Sequence, residues 1–353
     1  MSVPSAFHRQ HRNIVIEEDE PIHLLDDLSH GDGTFWDHRG VAFAKVNLSL
    51  DIDPSSRVSD SLLSIHSVMH KILWGDHISI KLLRDVDADL LSKHYDTTPQ
   101  GDVLLLLDET SDIDKHASNR SSETDVSFPF DESNLIAKTL DKARRGNESY
   151  LVLTRKRIPA GTGLGGGTAD GAYVLKSLGS MLPPEESLSI GSDFAFLQSS
   201  DSIALVSGRG DKVTPLPPLN YTMPLYILIP DEVCNTAEIF KRARELMQQG
   251  RMEYRTYSME RAIIELAQFD KYRPHNSLES CIDNEVVKSL LSTLADNLGQ
   301  HQYGMSGSGS ACFAIGVDDI DVLRVREVFG RPLKIVKTRL MQPGDTRCEF
   351  SYL

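Results

Sequence analysis

The sequence predicts a two-domain protein that mixes strands and helices, and three observations carry that expectation. Its 353 residues exceed what one hydrophobic core of ordinary size organises. Strand-like and helix-like runs are interspersed along the chain, with neither type dominating. The run Pro215-Leu-Pro-Pro-Leu-Asn220 interrupts both, because proline blocks helix and ladder alike, and it reads as an interdomain link. The expected division is an N-terminal extension over 1–40, a first domain over 41–217 and a second over 218–353.

Residues 1–40 are irregular, His-rich and acidic, with a short strand signal only at 13–16. A strand is expected over 40–52, where Phe43, Leu48, Leu50 and Ile52 mostly alternate with polar positions. A mixed apolar segment follows at 61–74, then a strand at 77–83. The polar stretch 111–127 reads as a surface loop. A helix is expected from Asn134 to Leu140, and a short strand at 150–153 feeds the basic triplet Arg155-Lys156-Arg157. From Thr168 onward, Ala169, Ala172, Tyr173, Leu175 and Leu178 recur at spacings near three and four, as on one helix face. A second helix starts within 191–197, and 203–206 is a strand. Beyond the link, 225–229 is a buried-type strand. Helices are expected near 236–249 and 258–267, and a final strand pair at 312–317 and 333–338. The chain contains no internal repeat.

Composition excludes several functions. With 40% hydrophobic and 25% charged residues the chain is an ordinary globular protein. A net charge of −14 argues against nonspecific nucleic-acid binding, which phosphate neutralisation drives. An anionic small-molecule substrate is compatible with it, because a local basic pocket or Mg²⁺ outweighs the global sign. Cys234, Cys281, Cys312 and Cys348 have no C-x-x-C spacing and read as reduced thiols of a cytoplasmic protein. The first thirty residues carry the acidic run Glu17-Glu18-Asp19-Glu20 and lack the apolar core of a signal peptide. The apolar run 103–107 is far short of the ~20 residues that span a bilayer, so no membrane partner is expected.

The most informative stretch is Ile158-Pro-Ala-Gly-Thr-Gly-Leu-Gly-Gly-Gly-Thr168, with five glycines between Gly161 and Gly167. Glycine costs roughly 1 kcal/mol more than alanine inside a helix, so the cluster is expected to be a loop leading into the helix at Thr168. A Walker A loop fits Gly161 to Thr168 except at its lysine, which is Gly167. A dinucleotide fingerprint fits Gly161, Gly163 and Gly166. Its acidic partner should end a strand about twenty residues on, but Glu185 and Glu186 follow two prolines. What remains is a loop whose amides approach an anion at a helix N-terminus, where unpaired N–H groups concentrate positive charge. The alternative is a flexible linker or tight turn.

The same stretch, from Pro159 to Thr168, resembles the second motif of the GHMP kinases. The run Gly-Leu-Gly-Gly-Gly after a basic-Ile-Pro lead is most similar to one branch, whose acceptor is a cytidine-diphosphate-linked methylerythritol of non-mevalonate isoprenoid synthesis. Four further matches follow in the family's order. Ala44-Lys45-Val46-Asn47-Leu48 resembles the first motif, Asn134-Leu135-Ile136 a helix start, Gly191-Ser192-Asp193 a Gly-Ala-Asp segment, and Met305-Ser-Gly-Ser-Gly309 the third motif. The resemblance spans about residues 41–317. It implies a two-domain α+β fold, with a ribosomal S5 domain 2-like N-terminal domain and a ferredoxin-like C-terminal domain. It also implies ATP-dependent phosphorylation of an alcohol, with Mg²⁺ on the phosphates.

The resemblance further implies roles for individual residues. Asp193 would face the substrate hydroxyl, with Lys45 as its cationic partner. Pro159, Gly161, Gly163, Leu164, Gly165, Gly166, Gly167 and Thr168 would wrap the ATP phosphates. Asn47, Thr236, Phe240, Ser306, Gly307 and Gly309 would lie on the acceptor side. No metal ligand is assigned. By residue type alone, Asp193 reads as a first-turn helix acid or cap and 306–309 as a hairpin turn; Asp170 reads as a solvated first-turn carboxylate, with contact to the Mg²⁺ as the alternative. One departure concerns the base. Where the branch has Asp-Gly-Tyr-His, supplying a stacking tyrosine and a base-reading histidine, this chain has Asp60-Ser61-Leu62-Leu63. The alternatives are therefore a kinase of another alcohol, of mevalonate or homoserine type, and a ligand-binding protein of the same fold. His66 receives no role.

Overall fold

A computed structural model describes residues 35–53, 56, 63–84, 91–92, 95–110, 129, 133–219, 221–252, 261, 265, 268, 272–298, 303–317 and 319–353. The expected strand at 13–16, the loop at 111–127, Leu62 and most of the helix near 258–267 lie outside the described residues.

Up to the proline-rich link, the elements are β1 (His38–Ile52), β2 (Ile65–Leu83), β3 (Val103–Asp108), α1 (Leu135–Ala143), β4 (Ser149–Lys156), α2 (Gly166–Ser177), α3 (Pro184–Ser187), α4 (Phe194–Gln198), β5 (Ile203–Gly208) and β6 (Lys212–Pro215). After it come β7 (Pro224–Pro230), α5 (Thr236–Gln248), β8 (His275–Asn276), a 3₁₀ turn (Ser277–Cys281), α6 (Glu285–Asn297), β9 (Tyr303–Met305), β10 (Cys312–Ile315), α7 (Val322–Phe329), β11 (Leu333–Arg339) and β12 (Ser351–Tyr352).

The first sheet has the order β3-β4-β2-β1-β8, with β5 joining the other half of β2 and β6 joining β5. The sequence divides β2 into a mixed segment and a strand, whereas it is one strand of 19 residues. It is buried continuously from Ser67 to Asp76, so the period-two signal of a half-exposed strand is missing there. The second sheet has the order β12-β11-β7-β10-β9. Here an expectation fails: β10 and β11 do not pair with each other, but flank β7 on opposite sides. A buried strand with two apolar neighbours gives no sequence signal for which of them it contacts.

The two sheets face each other. Ala44, Val46 and Leu48 of β1 share one cluster with Leu225 and Ile227 of β7 and Phe313 of β10. On the outer side of the first sheet, Ile136 and Leu140 of α1, Ala172 and Leu175 of α2, and Phe194 pack against Ile78 and Val152. On the outer side of the second, α5, α6 and α7 cover Tyr226, Leu228 and Ile335. The result is four layers: helices, sheet, sheet, helices. This is the α+β architecture expected from the sequence. No helix among the described residues is long and apolar enough to cross a membrane.

Candidate active site

β1 supplies two polar side chains to an otherwise apolar centre. Its ladder with β2 shifts register between Phe43 and Lys45 and again between Asn47 and Ser49. Such bulges re-aim side chains. Ala42, before the first shift, packs on the helical side, while Ala44, Val46 and Leu48 face the second sheet. Lys45 and Asn47, at the alternate positions between them, therefore point to the helical side.

Lys45 is 2% exposed and its ammonium is fully engaged. Nζ donates to Asn47 Oδ1 at 2.6 Å and to Gly163 O at 2.8 Å, and lies 3.2 Å from Asp193 Oδ2. Asp193 occupies the N-cap position of α4, but its side chain makes no capping hydrogen bond. The cap reading thus fails, because the carboxylate is turned to Lys45. The far end of the same short helix rests on Lys71, whose Nζ donates to Ser199 O at 2.7 Å. Burial pushes the Lys71 amine down to about 7, aided by the Lys176 charge. Asn47 is held in turn, with Nδ2 donating to Ser67 Oγ at 2.8 Å.

The glycine stretch lies directly above this pair. Leu164 O accepts from the Lys45 amide at 3.0 Å, while the Leu164 side chain is buried in the inter-sheet core and does not line the cleft. Helix α2 begins at Gly166, two residues before the expected Thr168. Glycine tolerates the first turn here because Gly165 caps it at φ +73°, and an added Cβ at Gly166 would lie 2.8 Å from Ile158 Cβ. The first bond across the cap runs from the Ala169 amide to Gly165 O, leaving the amides of Gly166, Gly167 and Thr168 ahead of the ladder.

Those residues line a cleft of about 310 Å³, together with Pro159, Gly161 and Gly163. Its opposite wall is the start of α1, where Asn134 Oδ1 accepts from the Ile136 amide at 2.7 Å. Two helix N-termini therefore face one cavity, and both favour negative charge. An added Cβ at Gly167 would meet only Leu135 Cδ1, at 3.6 Å, so this wall has room for a ligand.

The second glycine segment, between β9 and β10, closes onto the first. Ser306 Oγ donates to Gly163 O at 3.0 Å and accepts from the Asn47 amide at 3.2 Å. The Ala311 amide donates to Thr162 O at 3.1 Å. The segment is thus a hairpin connection that also docks on the first glycine loop. Thr236, at the start of α5, places its Oγ1 2.8 Å from Ser308 Oγ. Phe240 is half-buried and packs against clusters of both sheets. Leu63, at the family's histidine position, is 3% exposed and belongs to the second sheet's core.

Sequence reading misplaces Asp170 and gives no role to its partners Lys156 and Asp76. Lys156 Nζ lies 2.5 Å from Asp76 Oδ2 and 2.6 Å from Asp170 Oδ2. Asp170 is therefore not a solvated carboxylate but is 2% exposed, and its Oδ1 has no hydrogen-bond partner. Asp76 Oδ1 accepts from the amides of Arg157 and Ile158 at 2.5 and 2.9 Å. Burial pushes the Asp170 carboxyl up to about 8; Lys156 opposes this and the second carboxylate adds to it. Burial pulls the Lys156 ammonium down, but the two acids outweigh it and leave it above the ordinary lysine value. One ammonium cannot neutralise two buried carboxylates, so the less well bonded one keeps its proton. A signal for Lys156 existed: it continues the buried series Tyr150, Val152, Thr154 of β4 at period two.

No family model matches the chain. It is similar to the 4-diphosphocytidyl-2-C-methyl-D-erythritol kinase of Pseudothermotoga lettingae, 31% identical over 243 residues, covering 63% of this chain and 82% of that protein. It is also similar to the chloroplastic enzyme of the same name from Arabidopsis thaliana, 27% identical over 344 residues, covering 88% and 76%. Among the plant relatives the chain spans from 53% to 76% of their length. In fold it is similar to the crystal structure of a 4-(cytidine 5'-diphospho)-2C-methyl-D-erythritol kinase. That match has a TM-score of 0.57 at 21% identity and covers 86% of this chain and 99% of the other.

Proposed function

The chain belongs to the 4-diphosphocytidyl-2-C-methyl-D-erythritol kinases, and from that premise we propose that it transfers the γ-phosphoryl group of ATP to the alcohol of that acceptor. One observation carries the mechanism: the Lys45–Asp193 pair sits beside a glycine-walled cleft onto which two helix N-termini open.

The cleft fits a polyphosphate. Its wall offers backbone amides ahead of a helix ladder and leaves room at Gly167, where a side chain would otherwise stand. Mg²⁺ bound with ATP would neutralise phosphate charge, while the backbone amides at the start of α2 would hold the phosphate oxygens. The acceptor hydroxyl approaches Asp193, which is 19% exposed on its side chain, while Lys45 at 3% is held beneath it. Asp193 takes the hydroxyl proton as the oxygen–phosphorus bond forms and ADP leaves. The Lys45 ammonium stabilises the negative charge developing on the oxygen, and Asn47 and Gly163 O keep it aimed. Thr236, Phe240 and the 306–309 turn would hold the acceptor, a role supported by the contact of Thr236 Oγ1 with Ser308 Oγ.

A second reading, phosphorylation of a different alcohol, is favoured by Leu63. A core leucine offers no hydrogen bond to a base edge. A coupled ADP-release assay against the cytidyl acceptor, mevalonate and homoserine tests both readings. Turnover with the cytidyl acceptor supports the first, and turnover only with another alcohol replaces it. A cytoplasmic setting is proposed from the scattered spacing of Cys234, Cys281, Cys312 and Cys348, which forms no disulfide framework pattern. Imaging of the tagged full chain tests that assignment.

A further inference from the structure

A short strap, His275 to Glu279, joins β1 to the second glycine turn, and none of its residues belongs to the site read from the sequence. Its backbone adds to the edge of β1 through Leu50 and Asn276. Ser277 Oγ accepts from the Ile52 amide at 3.1 Å, so the strap is anchored to the strand that carries Lys45.

Asn276 is 5% exposed and uses its whole amide. Nδ2 donates to Met305 O at 2.9 Å and to Gly307 O at 2.7 Å, while Oδ1 accepts from the Leu278 amide at 3.0 Å. Glu279 Oε1 accepts from the Met305 amide at 2.9 Å. One side chain thus grips the carbonyls on both sides of Ser306. Ser306 Oγ donates to Gly163 O, and that carbonyl also receives the Lys45 ammonium.

We propose that Asn276 is a positioning residue for phosphoryl transfer: by holding Met305 O and Gly307 O it sets where Ser306 stands, and through Ser306 and Gly163 O it sets the aim of Lys45. The proposal rests on the kinase reading above. Asn276 carries no charge, so its action is geometric. Misplacement by about 1 Å far from the reacting atoms costs on the order of 10²-fold in rate.

The test uses Asn276→Asp in the full chain. Aspartate keeps the oxygen that caps Leu278 but presents a second oxygen to two carbonyls. Val325→Ala, in the core of α7, serves as a comparison for loss of stability alone. Asn276→Asp should lower kcat about tenfold or more while KM for either substrate moves less than about threefold; Val325→Ala should leave kcat within about twofold. Hydrogen exchange supplies a readout without turnover. The amides of Ser306, Gly309 and Ala311 should exchange roughly tenfold faster in Asn276→Asp, with those of β7 unchanged. A kcat within about threefold of the unmodified protein overturns the proposal, as does an equal loss in Val325→Ala. If the unmodified protein phosphorylates no acceptor, the kinase reading fails. Exchange then decides alone, and unaltered protection across 306–311 overturns the positioning role.

Discussion

Lys45 Nζ and Asp193 Oδ2 lie 3.2 Å apart, and the pair is asymmetric: the aspartate is 19% exposed and the lysine 3%. The carboxylate is open to an incoming hydroxyl, whereas the ammonium is reached only through its partners Asn47 and Gly163 O. A surface ion pair of this length would contribute little, about 0–1 kcal/mol. Its significance here is directional, since the lysine is clamped from two other sides and points at one place.

Removing either charge should therefore affect rate more than binding. Asp193→Asn keeps shape and should lower kcat at least ~10²-fold, and Lys45→Met should do likewise, with the ATP-induced rise in melting temperature retained in both. Thermal shift and ADP release on the same samples separate the two effects. Near-full turnover in either variant would remove that residue from the mechanism.

Gly163→Ala should disconnect the two glycine segments. Gly163 has φ +74°, and an added Cβ would fall well inside contact distance of Ser306 O. Gly146 offers a control, with φ +65° and nothing within 4 Å of an added Cβ. Gly146→Ala should cost only the backbone term, roughly 1–2 kcal/mol, and keep its activity. Gly163→Ala should cost more and abolish ADP release. Urea midpoints that matched, with activity surviving in both, would show that the close approach is dispensable.

Stability should fall as pH rises between the ordinary carboxyl value of 3.8 and about 8, because of Asp170. In that window the folded chain holds a proton that the unfolded chain has released, and such an excess makes stability decline with pH. Asp170→Asn is neutral throughout. Its stability relative to the unmodified protein should improve from pH 5 to about pH 8 and level off above that in chemical denaturation. Parallel curves would mean that Asp170 is already ionised at pH 5.

Base selectivity should be weak. Leu63 lies in the core and cannot hydrogen-bond a cytosine edge, and aromatic stacking contributes about 1–3 kcal/mol per base where it is present. The cytidine and uridine forms of the acceptor should then have kcat/KM values within roughly tenfold. A strong preference for cytidine would show that another residue reads the base.

Several features were legible because they depend on local chemistry. The run of glycines before Thr168 marked a loop feeding a helix, and Asn134 marked a helix start whose cap is seen in the structure. The buried strand β7 was visible as an apolar run. The continuity of β2 was not, because burial on both faces removes alternation. The partnership of β10 and β11 with β7 was not either, since register is a property of pairs.

By itself, the sequence determined which segments carry backbone amides, apolar faces and isolated charges, since those follow from residue type and spacing. Only the tertiary structure decided what each charge meets. Lys45 turns toward Asp193 because its neighbours Ala44 and Val46 take the face toward the second sheet. Asp170 leaves solvent because Lys156 and Asp76 lie under the start of α2. Asn276 reaches the second glycine turn because β8 adds to the edge of β1. These contacts join residues far apart in the chain, and the free energy of a buried charge or amide depends on its neighbours in space, which no local pattern encodes.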